Sequence, residues 1–255
     1  MPAALPHRAV FVSDLHLGTR YGGAREDREI LFERFLLEQE GRISHLFLVG
    51  DVFEFWMEYR HVMPKAHFAV LAALHRLRRS GIEIHYVCGN HDFNLGTFFR
   101  DQLGILTHDG PFPITLQGKN LLVLHGDGMN PKDRAYRLVR RVLHSRWANF
   151  LWKLIHPDLG MRIAFGVGKA SRDQHGSEPR DLDLYELEAR RLLREGGHDI
   201  VIHGHIHAGF VNAVPEGLHV NTGEWLKRLE YVEMEGGEVA LKTYWDQLNN
   251  ATVQQ

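Results

Sequence analysis

The feature that most constrains this chain is an apolar segment that ends abruptly in polar residues able to bind a ligand. Ile82 to Val87 is typical of a buried strand, and Gly89-Asn90-His91-Asp92 follows it almost directly. Rigid strands fix the side chains just beyond their ends, and α/β proteins bind ligands there. The segment therefore predicts a binding or catalytic loop after a buried strand.

The same pattern occurs at four further places in the sequence. Short apolar strands are predicted for residues 9–12, 45–49, 121–124 and 199–202. The polar residues that follow them are Asp14 and His16, Gly50-Asp51, His125-Gly126-Asp127, and His205 and His207. Any one pair occurs often by chance, whereas an ordered set of five, each after a strand, is specific for a shared site.

The order of predicted elements indicates the fold class. Helical spacing of apolar residues covers 25–40 and 64–79, between the first three strands. A β-α-β-α-β order predicts parallel strands joined by right-handed crossovers. A hairpin is predicted over 113–124, and short antiparallel strands over 210–244. We therefore predict an α/β protein.

The domain organisation follows from length and pattern. With 255 residues, 44% of them hydrophobic, the chain fits one large domain, predicted over 1–246. Helical periodicity dominates 131–173, which is predicted to be an inserted helical cap; residues 247–255 are predicted to be a frayed polar tail. The cap carries arginines and a cluster of large apolar residues: Arg134, Arg137, Arg140, Arg141, Trp147, Phe150, Leu151, Leu154, Ile155, Ile163 and Phe165.

Charge, cysteine content and hydropathy exclude several classes of protein. The net charge is -2, which gives no general case for nucleic-acid binding. A single cysteine, Cys88, cannot form an intramolecular disulfide, as expected in a reducing compartment. No apolar run approaches the roughly 18 residues of a membrane span, and residues 1–8 lack a signal-peptide core. A soluble, cytoplasmic protein is the expectation.

The side chains after the strands indicate metal chemistry. Carboxylates, an amide and imidazoles suit Mn²⁺, with Fe²⁺ or Zn²⁺ as alternatives. They exceed the needs of one ion, so two ions about 3.5–4 Å apart are predicted, sharing one carboxylate. Water between two such ions becomes hydroxide near neutral pH, and the ions neutralise phosphate oxygens. His91 is placed to stabilise the developing charge or to protonate a leaving group, and Asp92 is predicted to orient its imidazole.

These motifs resemble the signature of the calcineurin-like metallophosphoesterases over roughly residues 9–245. The resemblance implies a four-layer α-β-β-α sandwich with two metal ions at its mouth. It assigns Asp14, His16, Asp51 and His207 to one ion. It assigns Asp51, Asn90, His125 and His205 to the other, with Asp51 bridging and His91 as general acid or transition-state stabiliser.

A narrower resemblance, to the UDP-2,3-diacylglucosamine pyrophosphatases of the lipid A pathway, is carried by three features. These are the segment 50–56 (Gly-Asp-Val-Phe-Glu-Phe-Trp), the helical insertion and Gly223-Glu224-Trp225. That family hydrolyses the substrate's diphosphate to UMP and 2,3-diacylglucosamine 1-phosphate. The resemblance implies substrate contacts from Trp56, Asp133, Tyr136, Ser171 and Arg172. The chain departs from the family's pattern at His91, where arginine is common, and at Ala208-Gly209.

The residues alone leave other functions open. An apolar, basic cap suits a diacylated, anionic substrate and a peripheral contact with the inner membrane, but such a segment also forms by packing on the core. A phosphoesterase for nucleotides or other phosphodiesters would use the same metal ligands. A non-catalytic scaffold that binds metal is the alternative from a different class. Nucleic acid is not an expected partner.

Overall fold

A computed structural model describes residues 7–19, 26–130, 145–175 and 182–253, without the side chains of 146, 167–175 and 250–253. The strands of these residues form two sheets. The first has six strands in the order β11-β10-β1-β2-β3-β4. Their bounds are β1 Arg8–Val12, β2 His45–Val49, β3 Glu83–Val87, β4 Leu106–His108, β10 Glu230–Glu235 and β11 Glu238–Thr243. Strands β1 to β4 are parallel to one another, as the β-α-β-α-β pattern predicts.

The second sheet has five strands in the order β5-β6-β7-β9-β8. Their bounds are β5 Phe112–Leu116, β6 Lys119–Val123, β7 Ile200–His203, β8 Phe210–Val214 and β9 Gly217–Asn221. The predicted hairpin is confirmed: Gln117 (φ 51°) and Gly118 (φ 77°) join β5 to antiparallel β6. Positive φ at both turn residues matches the right-handed twist of the strands. Strands β6, β7 and β9 are parallel to one another.

The two sheets pack face to face. Alternate residues of the first sheet, among them Ala9, Phe11 and Phe47, share one apolar cluster with Val123 and Ile202 of the second. The rings of Phe11 and Phe47 stack with centroids 4.4 Å apart. Because side chains of a strand alternate between faces, the other residues of β1 and β2 point to the opposite side.

The described ranges contain seven α-helices, and some of them cover the outer faces of the two sheets. Their bounds are α1 Arg28–Glu38, α2 Phe68–Arg79, α3 Phe98–Asp101, α4 Arg146–Lys153, α5 Pro157–His175, α6 Leu182–Gly196 and α7 Tyr244–Val253. Phe35 of α1 and Leu74 of α2 join Val10 of β1 in one cluster. Ala189 of α6 joins Val201 of β7 in another. The predicted four-layer α-β-β-α order is therefore confirmed.

The C-terminus differs from the prediction. Residues 247–255 were expected to fray, but α7 continues to Val253. Tyr244 is fully buried, and Leu248, one turn later, packs against the same core. Two apolar anchors four residues apart place one helix face on the core, which stabilises the polar sequence between them. Within the described ranges, no helix has the length and apolar character that crossing a bilayer requires.

Candidate metal centre

Parallel pairing brings the five polar loops to one edge of the sandwich. Asp14, Asp51 and Asn90 follow the carboxyl ends of β1, β2 and β3, while His125 and His205 follow β6 and β7. Backbone hydrogen bonds fasten the loops together: the amide of His16 donates to the carbonyl of Asp51 at 3.0 Å. Likewise Gly204 donates to the carbonyl of His125 at 2.9 Å. The site is thus part of the sheet framework.

The backbone of this edge is strained where the candidate ligands lie. The described part of the chain has seven non-glycine residues with positive φ, and five of them are Asp14, His16, Asp51, His205 and His207. Such conformations are disfavoured for residues with a Cβ atom, and they concentrate at functional sites. All five residues lie two or four positions after the end of the preceding strand.

A glycine permits the closest approach between two loops. A Cβ atom on Gly89 would lie 2.2 Å from Oδ1 of Asp51. Gly89 and the Asp51 carboxylate are both held by buried hydrogen bonds, from the amide of Gly89 to Asp92 and from the amide of His91 to Oδ1 of Asp51. Only glycine therefore fits before Asn90.

Asp14, His16 and His207 form the first group of candidate ligands. Oδ1 of Asp14 lies 3.1 Å from Nε2 of His207 and 3.9 Å from Nε2 of His16. The two histidine Nε2 atoms are 3.4 Å apart. One potential ligand atom from each of the three residues lies within 4.8 Å of the others. Three donors thus converge on one point.

Asp51, His125 and His205 form a second group with the same 4.8 Å spacing. Oδ2 of Asp51 lies 3.3 Å from Nε2 of His125, and Oδ1 of Asn90 lies 3.1 Å from the same nitrogen. Asp51 also approaches the first group, with Oδ2 3.8 Å from Nε2 of His16. The carboxylate predicted to bridge two ions is therefore the one that lies between the two groups.

The donor set fits divalent metal ions. Oδ1 of Asp14 is buried and, although it lies 3.1 Å from Nε2 of His207, it accepts no hydrogen bond of good geometry; a buried carboxylate oxygen in this state is costly. A cation placed among Asp14, His16 and His207 would satisfy it. Oxygen and imidazole nitrogen ligands suit Mn²⁺, Fe²⁺ and Zn²⁺ alike. The structure thus brings all seven predicted metal ligands together as two adjacent groups.

Three imidazoles have an oxygen atom close to Nδ1, on the side away from these groups, and two of them have a hydrogen-bond partner there. Nδ1 of His125 is 2.9 Å from the carbonyl oxygen of Val49, and Nδ1 of His207 is 3.2 Å from Oε2 of Glu224. Nδ1 of His16 lies 3.3 Å from Oε2 of Glu54, although the angle is outside hydrogen-bond geometry. Partners at Nδ1 leave Nε2 free to bind a metal.

Sequence reasoning assigned no role to these two glutamates. Glu54 lies in the segment 50–56 and Glu224 in Gly223-Glu224-Trp225, the stretches that carried the narrower resemblance. Both side chains are buried. Each glutamate lies next to an aromatic residue in a loop close to a predicted metal ligand, and this sequence context could have indicated a buried carboxylate at the site.

The charges of Asp51 and His125 stabilise each other. Burial acts to raise the pKa of Asp51, but the imidazoles of His125 and His91 outweigh it and hold this pKa well below its ordinary value. Burial acts to lower the pKa of His125, but the carboxylate of Asp51 outweighs it and the pKa lies well above the ordinary value. The site favours a negative carboxylate and a cationic neighbour.

His91 lies beside the first group. Its backbone N–H donates to Oδ1 of Asp51 at 2.9 Å, and its ring meets that of His16 edge to face at 4.8 Å between centroids. Nδ1 of His91 is 3.0 Å from the carbonyl oxygen of Glu54. A potential ligand atom of His91 also lies within 4.8 Å of those of His16 and Asp51.

The role predicted for Asp92 is corrected by its contacts. Its carboxylate accepts hydrogen bonds from the backbone N–H groups of Asp51, Val52, Phe53 and Gly89 and from the hydroxyl of Tyr86. It makes no described contact with the His91 ring, which Glu54 holds instead. Four clustered N–H donors require an acceptor, so the buried carboxylate joins the loops after β2 and β3.

Of the residues predicted to contact substrate, only Trp56 has a described side chain. Trp56 is 1% exposed and packs in the core against Phe53 and Phe99, with 4.8 Å between ring centroids in both pairs. Trp56 therefore contributes to the core, and its contact with substrate stays a prediction. Asp133 and Tyr136 lie outside the described residues, as do the side chains of Ser171 and Arg172.

Helix α4 lies near the loops of the site. The amide of Asn149 accepts a hydrogen bond from Asn94 at 2.9 Å, and Trp152 meets Phe55 at 5.4 Å between ring centroids. Large apolar side chains of α4, of α5 and of the link between them are exposed: Trp147, Phe150, Leu151, Leu154, Leu159 and Ile163. An exposed apolar surface of this kind is typical of a binding site.

Comparison with known proteins agrees with this geometry. A relative named UDP-2,3-diacylglucosamine hydrolase, from Edwardsiella ictaluri, is 30% identical over 78% of this chain and 75% of its own. A Porphyromonas gingivalis protein of the same name is 28% identical over 92% of this chain and 97% of its own. One from Vibrio vulnificus is 30% identical over 78% of this chain and 80% of its own. Residues 7–209 match the sequence profile described as calcineurin-like phosphoesterase, and the chain belongs to that family.

Proposed function

We propose that this protein is a metal-dependent hydrolase of UDP-2,3-diacylglucosamine that yields UMP and 2,3-diacylglucosamine 1-phosphate. The observation that carries the proposal is the pair of ligand groups that meet at Asp51. Relatives named for this substrate align with up to 92% of the chain, which supports the choice of substrate. The place of such a reaction is the biosynthesis of lipid A.

The reaction transfers the uridylyl group to water, and 2,3-diacylglucosamine 1-phosphate is the leaving group. The oxygen of water bonds to the α-phosphorus of the nucleotide, and the bond from that phosphorus to the bridging oxygen breaks. When bound, two divalent ions, which we propose to be Mn²⁺, activate water and neutralise phosphate oxygens. Asp14, His16, Asp51 and His207 would hold one ion, and Asp51, Asn90, His125 and His205 the other.

His91 is the proposed catalytic side chain. The carbonyl of Glu54 holds its Nδ1, and the amide of His91 is fixed to Asp51. The ring's other nitrogen is available to donate a hydrogen bond to a phosphate oxygen or a proton to the leaving oxygen. A positioned group of this kind contributes about 10²–10⁴-fold to the rate.

The exposed apolar side chains of α4 and α5 are proposed to contact the two acyl chains. Burial of each methylene group contributes about 0.8 kcal/mol. If a few methylene groups of the acyl chains are buried against Trp147, Phe150 or Leu151, the acylated substrate binds much more tightly than the unacylated sugar nucleotide. The same surface and the arginines of the insertion are proposed to allow a peripheral contact with the cytoplasmic face of the inner membrane.

A panel of substrates tests the proposal. The protein is stripped of metal, reloaded with Mn²⁺ and offered UDP-2,3-diacylglucosamine, UDP-N-acetylglucosamine, a cyclic nucleotide and single-stranded DNA. UMP release from the acylated substrate alone is expected. Equal rates on the acylated and unacylated sugars would refute the role of the cap, and preference for the cyclic nucleotide would assign a different phosphoesterase activity.

A pair of variants tests the metal centre in the same assay. Asp51→Ala is expected to abolish UMP release because both ligand groups lose their shared carboxylate. Asp101→Ala is the matched control, since Asp101 is an exposed carboxylate on α3, and its rate should equal that of the wild type.

A further inference from the structure

Two buried glutamates stand behind one of the two ligand groups. Oε2 of Glu54 lies 3.3 Å from Nδ1 of His16, and Oε2 of Glu224 lies 3.2 Å from Nδ1 of His207. Their side chains are 1% and 7% exposed. Both histidines belong to the group that contains Asp14. Each therefore has Nε2 towards the Asp14 group and a carboxylate at its other ring nitrogen.

The second ligand group has neutral partners at two positions where the first group has carboxylates. Nδ1 of His125 is held by a neutral acceptor, the carbonyl of Val49, at 2.9 Å. Asn90, whose Oδ1 lies 3.1 Å from Nε2 of His125, supplies an amide. Asp14 is the corresponding ligand of the first group, and it supplies a carboxylate. Asp51 is common to both groups, so it does not distinguish them.

A carboxylate at the far nitrogen of an imidazole strengthens its bond to a metal ion. It fixes the tautomer and the orientation of the ring and makes the ligand nitrogen more basic. Loss of such a partner weakens metal affinity by about 10–100-fold. Burial increases the effect, since the two carboxylates act across a medium of low dielectric constant.

We propose that Glu54 and Glu224 are positioning residues that make the Asp14–His16–His207 position the tighter of the two metal sites. The proposal rests on the two-metal centre of the proposed function. The first ion then stays bound at concentrations at which the second, held by Asn90, His125 and His205 with Asp51, exchanges. This difference in affinity is expected for any of the suitable divalent ions and in the absence of substrate.

Titration of the metal-stripped full-length protein with Mn²⁺, followed by electron paramagnetic resonance, tests the proposal. Free Mn²⁺ gives a six-line signal that disappears on binding. An isolated bound ion and an exchange-coupled pair give different spectra. The wild type is expected to bind one equivalent at least 10-fold more tightly than the next. The coupled spectrum should therefore appear only after the first equivalent.

Conservative variants connect this difference to the two glutamates. Glu54→Gln and Glu224→Gln should each weaken the tight class by about 10–100-fold while the weak class changes less than threefold. Glu83→Gln is the matched control, because Oε1 of Glu83 lies 2.8 Å from Nε2 of His85, away from the site. That variant should titrate like the wild type.

The outcomes separate this inference from the proposed function. Two ions of equal affinity in the wild type, or variants that leave the tight class unchanged, overturn the inference alone. Binding of fewer than two ions overturns the two-metal centre itself. Thermal unfolding of each metal-free variant identifies one that does not fold. If one of the two glutamine variants does not fold, the wild-type titration and the remaining glutamine variant test the proposal.

Discussion

Replacing Asp92 with asparagine tests whether this residue acts in structure or in catalysis. One carboxylate oxygen accepts from the N–H groups of Asp51 and Gly89, at 3.1 and 2.8 Å. The other accepts from Val52 and Phe53, at 2.7 and 3.3 Å, and from the hydroxyl of Tyr86. Whichever way the asparagine amide turns, its NH₂ group faces two backbone donors. Two hydrogen bonds to a charged acceptor are therefore lost.

Each of these bonds contributes about 1.5–3 kcal/mol, so Asp92→Asn should lower the free energy of unfolding by about 3–6 kcal/mol. For a chain of this size the melting temperature should fall by roughly 6–24 °C. Urea unfolding followed by circular dichroism measures the change. Tyr86→Phe, which removes one donor and keeps the carboxylate, is the control, with an expected loss of about 1.5–3 kcal/mol for its single hydrogen bond.

A different result would refute this reasoning. If Asp92→Asn unfolded at the same urea concentration as the wild type but had a reduced kcat, Asp92 would act on the chemistry. The hydrogen bonds to the loops after β2 and β3 would then be unimportant for stability.

Three further predictions concern the site and its surroundings. His91→Gln should reduce kcat about 10²–10⁴-fold while Mn²⁺ binding is unchanged; loss of metal in this variant would make His91 a ligand. Gly89→Ala should weaken Mn²⁺ binding at least tenfold in an equilibrium titration, because its Cβ would lie 2.2 Å from Oδ1 of Asp51; wild-type affinity would show that the loop moves freely. Burial lowers the pKa of His203 to about 3 and of His219 to about 4, from 6.5. The unfolded chain therefore binds more protons, and stability should fall as the pH drops from about 6.5 to 4. Urea midpoints at pH 7.5 and 5.0 measure this loss, and His219→Gln should reduce it; an unchanged slope in that variant would contradict the assignment.

Much of the fold was predictable because its determinants are local in sequence. Apolar runs at 9–12 and 45–49, separated by a helical pattern, indicate parallel strands, and the structure contains them. The carboxyl ends of parallel strands share an edge, so the grouping of Asp14 with Asp51 followed from chain order. The loops of the second sheet carry the same residue types after predicted strands, which indicated a shared site, and the family resemblance assigned their residues to the two ions.

The contacts that organise the site could not be predicted in the same way. Asp92 meets Val52, 40 residues earlier in the chain, and His207 meets Glu224, 17 residues later. Hydrogen-bond partners of this kind depend on side-chain directions that are set only when the sheets pack.

Helix α7 extends into the polar C-terminal segment for a related reason. Its own sequence has little tendency to form a stable helix, and the isolated segment would fray. Tyr244 is buried by contacts with Phe35 and Trp225, 5.2 and 5.7 Å away between ring centroids. Those partners lie far away in the chain, so tertiary packing determines the helix.

The central claim is that seven side chains hold two metal ions that share Asp51. Anomalous diffraction from a crystal grown with Mn²⁺, recorded at the manganese absorption edge, tests it most directly. We predict two peaks about 3.5–4 Å apart, one among Asp14, His16 and His207 and one among Asn90, His125 and His205. Asp51 should lie between them. A single peak, or peaks away from Asp51, would contradict the account.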